Sequence, residues 1–193
     1  GPNGLLVVTV FVNPTQFNDA KDLETYPRNL EEDFALCARN SVDIVFAPTV
    51  DEIYPTGISI EEIDPGEIAK ILEGESRPGH FAGVATVVNR LIQITNPAVT
   101  CFGEKDYQQL AVVKNMVEVL DLDVEVIGVP TVRHSDGLAM SSRNQRLTDE
   151  QRSLAPKIYE CLQLVATHLR DGKTISESIS HASKWLNSFP EIK

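Results

Sequence analysis

Residues 5–12 are apolar on both faces, the pattern of a strand buried between neighbours in a parallel sheet. Behind the pair Asn29 and Glu32, the spacing of Leu30, Phe34, Cys37 and Ala38 predicts a helix to about Asn40, and 42–47 reads as a second strand. Asp64, Pro65 and Glu67 suit the N-cap, N1 and N3 of a short helix ending near Gly74. Val84, Val87, Val88, Leu91 and Ile92 mark a helix that Asn96-Pro97 stops. A strand at 98–102 follows, then a helix whose face carries Leu110, Val113, Val117 and Leu120, and a strand at 124–129. After Pro130 the pattern changes to a short extended stretch through 141–143 and two helices capped by Thr148/Gln151 and Thr174/Glu177.

Strands alternating with helices predict an α/β fold: a Rossmann-like, doubly wound parallel sheet with its ligand crevice at the carboxyl ends of the strands. The loops 13–17 and 103–106 sit at such ends. The expected organisation is a linker or cleavage scar at 1–4, a Rossmann-like nucleotide-binding domain at 5–130, and at 131–193 the start of a smaller α+β C-terminal domain.

A net charge of −11 repels nucleic acid and anionic membranes, so an anionic small molecule would have to be met by local cations. The apolar run 5–12 is too short to span a bilayer, and no membrane association is expected. Cys37, Cys101 and Cys161 are far apart, which suits a reducing cytoplasm and gives no disulfide framework or zinc site. His134, His168 and His181 lack ligand spacing and read as solvated; no protein-held metal is expected. Trp185 reads as a helix-packing residue.

Candidate chemistry concentrates in two places. In the stretch 103–110, GEKDYQQL, a glycine, Lys105 and two amides crowd a helix start, where free N–H groups and the helix dipole favour a phosphate. Gly103, Glu104, Lys105 and Asp106 fit a solvated first turn equally well; Gln109, one turn on, tips the balance because its amide could grip a hydroxy acid. In 140–144, MSSRN, Ser141, Ser142 and Arg143 offer the donor density a phosphoryl group needs, although such residues also make ordinary polar turns. Residues 74–81 have Walker-like glycine spacing but carry His80 and Phe81 where Lys and Ser/Thr belong, so Arg77 to His80 read locally as a turn.

The segments FVNPTQF, YPR, VFAP, EIYP, SRPGHF, CFGEKDYQQL and GLAMSSRN, in this order, resemble the pantothenate synthetase family of the HxGH-type nucleotidyltransferase superfamily. The resemblance implies an ATP-dependent, Mg²⁺-assisted ligase that condenses pantoate with β-alanine through a pantoyl adenylate, and a homodimer. It assigns pantoate as well as nucleotide binding to the 5–130 domain. It places Gln16, Gln109, Asn13, Arg77 and His80 at pantoate or β-alanine, and Gly103, Glu104, Lys105, Asp106, Val132, Met140, Ser141, Ser142 and Arg143 at ATP. Lys105, Ser141, Ser142 and Arg143 are the implied catalytic groups. The family's HxGH pair, expected ahead of residue 5, has no match here, nor has the end of its C-terminal domain. Truncation at both ends is therefore expected, with a non-catalytic pantoate- or nucleotide-binding or subunit-pairing module as the alternative function.

Overall fold

The structure is a computed structural model that describes residues 4–57 and 60–192; three of the four residues read as a linker, 1–3, lie outside that range. The chain divides into two compact units, 1–130 and 131–193.

In the first unit, β1 (Val7–Thr9) pairs in parallel with β2 (Ile44–Phe46), and β3 (Val99–Gly103) pairs in parallel with β4 (Glu125–Val129). Parallel pairing agrees with the sequence, but the single continuous sheet does not. Among the described residues the strands form two separate pairs, joined through side chains: Phe46 of one pair with Phe11 just beyond β1, and Phe102 and Val126 of the other, pack on the same core. The expected buried strand 5–12 shrinks to three residues, with Leu5, Leu6 and Val7 71%, 50% and 36% exposed. Pairing on one side leaves their flank uncovered.

Short helices α1 (Ala20–Glu24) and α2 (Leu30–Arg39) join β1 to β2, and Asn29 caps α2 by accepting from the Glu32 N–H at 3.3 Å. Only Cys37 of the predicted apolar face of α2 is buried. A capping box of Thr49 and Glu52 starts α3 (Val50–Ile53).

The helix predicted after Asp64 is not continuous. Its residues form a 3-10 turn at Glu67–Ala69 and then α4 (Glu73–Ser76), because Gly66 and Leu72 take left-handed φ values of 79° and 51°. Asp64 caps the preceding turn, accepting from Gly66 N–H at 2.9 Å. Gln108 removes carbonyls that a helix would use: its Nε2 donates to the oxygens of Ile68 and Ile71 at 2.9 and 2.7 Å, and its Oε1 accepts from Glu73 N–H at 3.1 Å.

The core is built by α5 (His80–Thr95) and α6 (Tyr107–Val119). Phe81, Val84, Ala85, Val87 and Val88 interlock with Val112, Val113 and Met116, and Ile53 of α3 closes the cluster. α5 begins at His80, four residues before the first residue of its predicted apolar face, and ends on Asn96 in the left-handed conformation ahead of Pro97.

In the second unit, α7 (Asp149–Leu154), α8 (Pro156–Arg170) and α9 (Ile175–Leu186) follow a hairpin and a 3-10 turn. Both predicted capping boxes form. The first of the two predicted helices is split, since Pro156 has no N–H to continue the ladder and starts α8 instead. His168 and His181 are not simply solvated: their rings lie 4.7 Å apart between α8 and α9, with His168 Nδ1 buried. Trp185 meets Phe189 edge to face at 5.1 Å.

Candidate functional site

The turn after β1 is a 3-10 turn at Pro14–Gln16, with Asn13 as its N-cap and Pro at its start. Asn13 is 3% exposed, and its whole amide is engaged. Its Nδ2 donates to Gly83 O at 3.1 Å and to Gln16 Oε1 at 3.3 Å. Its Oδ1 accepts from Tyr54 OH at 2.8 Å and from Thr15 Oγ1 at 3.1 Å. Asn13 thus shapes the turn from within, both ends of its amide being hydrogen-bonded to protein groups.

A consequence falls on Gln16. With Oε1 turned to Asn13, its Nε2 is the end left to donate, which suits a carboxylate or hydroxyl oxygen. Two residues expected at the ligand grip the backbone of Gln16: Arg77 Nη2 and His80 Nδ1 lie 3.2 and 2.8 Å from its carbonyl oxygen. A carbonyl can only accept, so Nδ1 of this buried histidine carries the proton. Arg77 Nη1 also pairs with Glu73 Oε1 at 2.6 Å. Gly83 lets α5 approach the turn, since a Cβ there would lie 2.8 Å from Thr15 O.

Around β3, Gly103 has an ordinary φ of −70° and open space where a Cβ would stand. The chain's own geometry does not require glycine here, so the room it leaves faces outward. A 3-10 turn, Glu104–Asp106, intervenes before α6, and Lys105 Nζ lies 2.9 Å from Asp106 Oδ1. This half-exposed pair is weakly held and can be exchanged for an anion. Glu104 leans on β4, within 3.2 Å of where a Gly128 Cβ would be. Of the two adjacent glutamines, Gln108 is spent on the 68–73 loop, whereas the half-buried Gln109 side chain makes no hydrogen bond among the described residues.

The structure therefore brings Asn13, Gln16, Arg77 and His80 together through direct hydrogen bonds. Lys105 and Gln109 share their unit but are not bonded to them. Sequence reasoning missed Tyr54 and Gln108 as organising residues. Tyr54 stood inside the EIYP segment, and Gln108 was indistinguishable from its neighbour. Burial raises the Tyr54 phenol above its ordinary value, against the lowering effect of its hydrogen bonds to Thr15 and Asn13. A cavity of about 360 Å³ lined by Thr15, Tyr54, Gly79 and Gly83 adjoins the cluster. Another, of about 540 Å³, lies over Asn89, Arg90 and Met116. Neither is lined by Gln16, Lys105 or Gln109.

In the second unit, Ser141 caps the 3-10 turn Ser142–Arg146, its Oγ accepting from Arg143 N–H at 3.3 Å. Its hydroxyl hydrogen remains to be donated. Val132 and Met140 face each other across the hairpin, Met140 N–H donating to Val132 O at 3.0 Å.

Parallel strand pairs with amide- and cation-bearing loops at strand ends define the class as an α/β protein whose candidate ligand loops follow the carboxyl ends of its strands. The chain belongs to the pantoate-beta-alanine ligase family, whose model matches residues 2–191. A pantothenate synthetase of Vibrio parahaemolyticus is 51% identical over 176 residues, covering 91% of this chain and 58% of that protein. The crystal structure of the pantothenate synthetase from Thermus thermophilus superposes with a TM-score of 0.92 at 47% identity, covering 97% of this chain and 68% of that one. The pantoate-beta-alanine ligase of Francisella tularensis, complexed with beta-gamma ATP and beta-alanine, gives 0.78 at 47% identity, covering 83% and 62%. The chain thus spans about three fifths of the length of the Vibrio relative.

Proposed function

We propose that this chain supplies the pantoate- and ATP-binding parts of a ligase that joins pantoate to β-alanine, releasing AMP and pyrophosphate. The observation that carries the reading is the match to the ligase family along residues 2–191.

Pantoate's carboxylate is already ionised at neutral pH, so its attack on the α-phosphorus of ATP needs alignment and charge neutralisation more than a base. Gln16 Nε2 and Gln109 hold the hydroxy acid. Arg77 and His80 act through the Gln16 carbonyl. The open face at Gly103 lets a phosphate approach the backbone, and Lys105 exchanges Asp106 for it; in the second unit, Ser141, Ser142 and Arg143 are the donors suited to a phosphoryl group. Val132 and Met140 border the nucleotide. The bond from carboxylate to α-phosphorus forms as pyrophosphate leaves; the neutral β-alanine amine then attacks the acyl carbon and AMP departs.

Mg²⁺ fits as part of the nucleotide. Among the described residues no group of three or more His, Cys, Asp or Glu could hold a metal ion, and Mg²⁺ in such sites is held largely by phosphate and water. A Rossmann-like double winding completed around the two strand pairs, a cytoplasmic location that keeps the three cysteines reduced, and a homodimer belong to the same reading; all three cysteines are unpaired. Sedimentation velocity tests the dimer.

The deciding experiment is pantoate-dependent exchange of labelled pyrophosphate into ATP. Exchange that requires pantoate is expected. Binding of both ligands without exchange would reduce the chain to a binding module, and no binding of either would end the proposal.

A further inference from the structure

We propose that Arg133 and Tyr159 clamp the hairpin ahead of residues 140–143, making Arg133 a positioning residue for the phosphate-facing donors. This rests on reading Ser141, Ser142 and Arg143 as those donors.

The hairpin has little of its own to hold it. It contains one antiparallel bridge, Arg133 to Ala139, and three backbone hydrogen bonds: His134 N–H to Leu138 O, Gly137 N–H to His134 O, and Met140 N–H to Val132 O. A two-stranded ribbon of this size is marginal in water. Two ties fix it to helices. The Arg133 guanidinium lies 3.7 Å from the centroid of the Tyr159 ring on α8, while its Nη1 donates to Gly137 O at 3.1 Å. Arg152 on α7 donates to Asp136 Oδ2 at 2.6 Å.

Gly137 shows how closely the ring and turn are fitted. Its φ is +92°, and a Cβ there would stand 2.7 Å from Tyr159 Cδ1. The ring therefore packs directly on the turn's backbone, with the guanidinium stacked over it.

The returning arm passes the constraint onward. Ala139 O accepts from Asn144 Nδ2 at 3.0 Å, and Ser141 Oγ caps the turn that carries Arg143. Moving the hairpin moves Ser141 and Arg143 with it. Donors to a transferring phosphoryl group lose much of their effect with displacements of about 1 Å. Arg133 reaches that chemistry through the clamp, without touching the substrate.

Limited trypsin digestion reads the clamp directly, because Arg143 is itself a cleavage site. Cleavage after Lys173, in the exposed turn between α8 and α9, reports on the rest of the unit. The ratio of the two, measured by mass spectrometry, should rise about 5-fold in Arg133→Gln and Tyr159→Leu, the order expected for losing a cation–π contact and a charge-assisted hydrogen bond. Tyr159→Phe keeps the ring and should match the parent, and Arg133→Lys should restore part of the protection. In pyrophosphate exchange, Arg133→Gln should lower kcat with the KM for pantoate unchanged. A ratio unchanged in both disruptive variants overturns the clamp, including the case where both cleavages rise together through general loosening. Failure of ATP to protect Arg143 in the parent chain would instead count against the nucleotide reading, and the ratio among variants still decides the clamp.

Discussion

Tyr54 OH donates to Asn13 Oδ1 across 41 residues of chain at 2.8 Å, and together with the Thr15 donors it fixes which way the Asn13 amide faces. With Oδ1 held by the phenol, Nδ2 must point to Gly83 O and Gln16 Oε1, and Gln16 is left presenting its donor end. Tyr54→Phe should lower stability by about 1 kcal/mol and weaken pantoate binding. Denaturant unfolding and titration calorimetry check the two effects. Unchanged pantoate affinity would separate Tyr54 from the site.

The same phenol sets an alkaline limit. Its folded-state pKa is raised, with burial as the main cause, so the neutral form is favoured by folding. That contribution is fully present below the unfolded value near 10 and is lost as pH rises through the higher folded value. Stability should therefore fall above about pH 10 in the parent chain, and the fall should be shallower in Tyr54→Phe. Identical alkaline unfolding curves would remove Tyr54 as a cause.

Adjacent glutamines should behave oppositely. Gln109→Ala should weaken pantoate binding by about 1–3 kcal/mol with little change in stability, because the substitution leaves a ligand group unpaired and no protein group. Gln108→Ala strands the carbonyls of Ile68 and Ile71 and the Glu73 N–H, and should lower stability by about 1–2 kcal/mol. The reverse assignment in calorimetry and unfolding would show that Gln108 is the ligand-facing residue.

Gly103→Ala places a methyl in open space at an ordinary φ, so stability should stay within about 0.5 kcal/mol of the parent. ATP affinity should nevertheless fall about 10-fold, equal to ~1.4 kcal/mol, as the methyl occupies the approach to the backbone. Equal ATP affinity would place the nucleotide elsewhere.

Arg143→Ala should lower pantoate-dependent pyrophosphate exchange by roughly 10²–10³ while pantoate binding persists, the size of effect for one donor aimed at developing charge. Exchange at the parent rate would withdraw Arg143 from catalysis.

The features legible along the chain were those whose causes lie within a few residues. Thr148 with Gln151 and Thr174 with Glu177 close capping boxes three residues apart, and Val84, Val87 and Val88 repeat at the helix period, so those two helix starts and that buried face were determined by sequence. Candidate ligand residues were also legible, as motifs. What sequence could not settle was how each polar group is spent. Asn13 and Gln109 are both amides in family motifs, yet Tyr54 and Gly83, 41 and 70 residues away, consume the first and leave the second open. Likewise, Asp64, Pro65 and Glu67 promised a helix that a left-handed Leu72 and the Gln108 amide interrupt. Caps and periodicity are local backbone energetics; the allocation of buried donors and acceptors depends on which distant groups the fold brings within about 3 Å, and only the tertiary structure decides that.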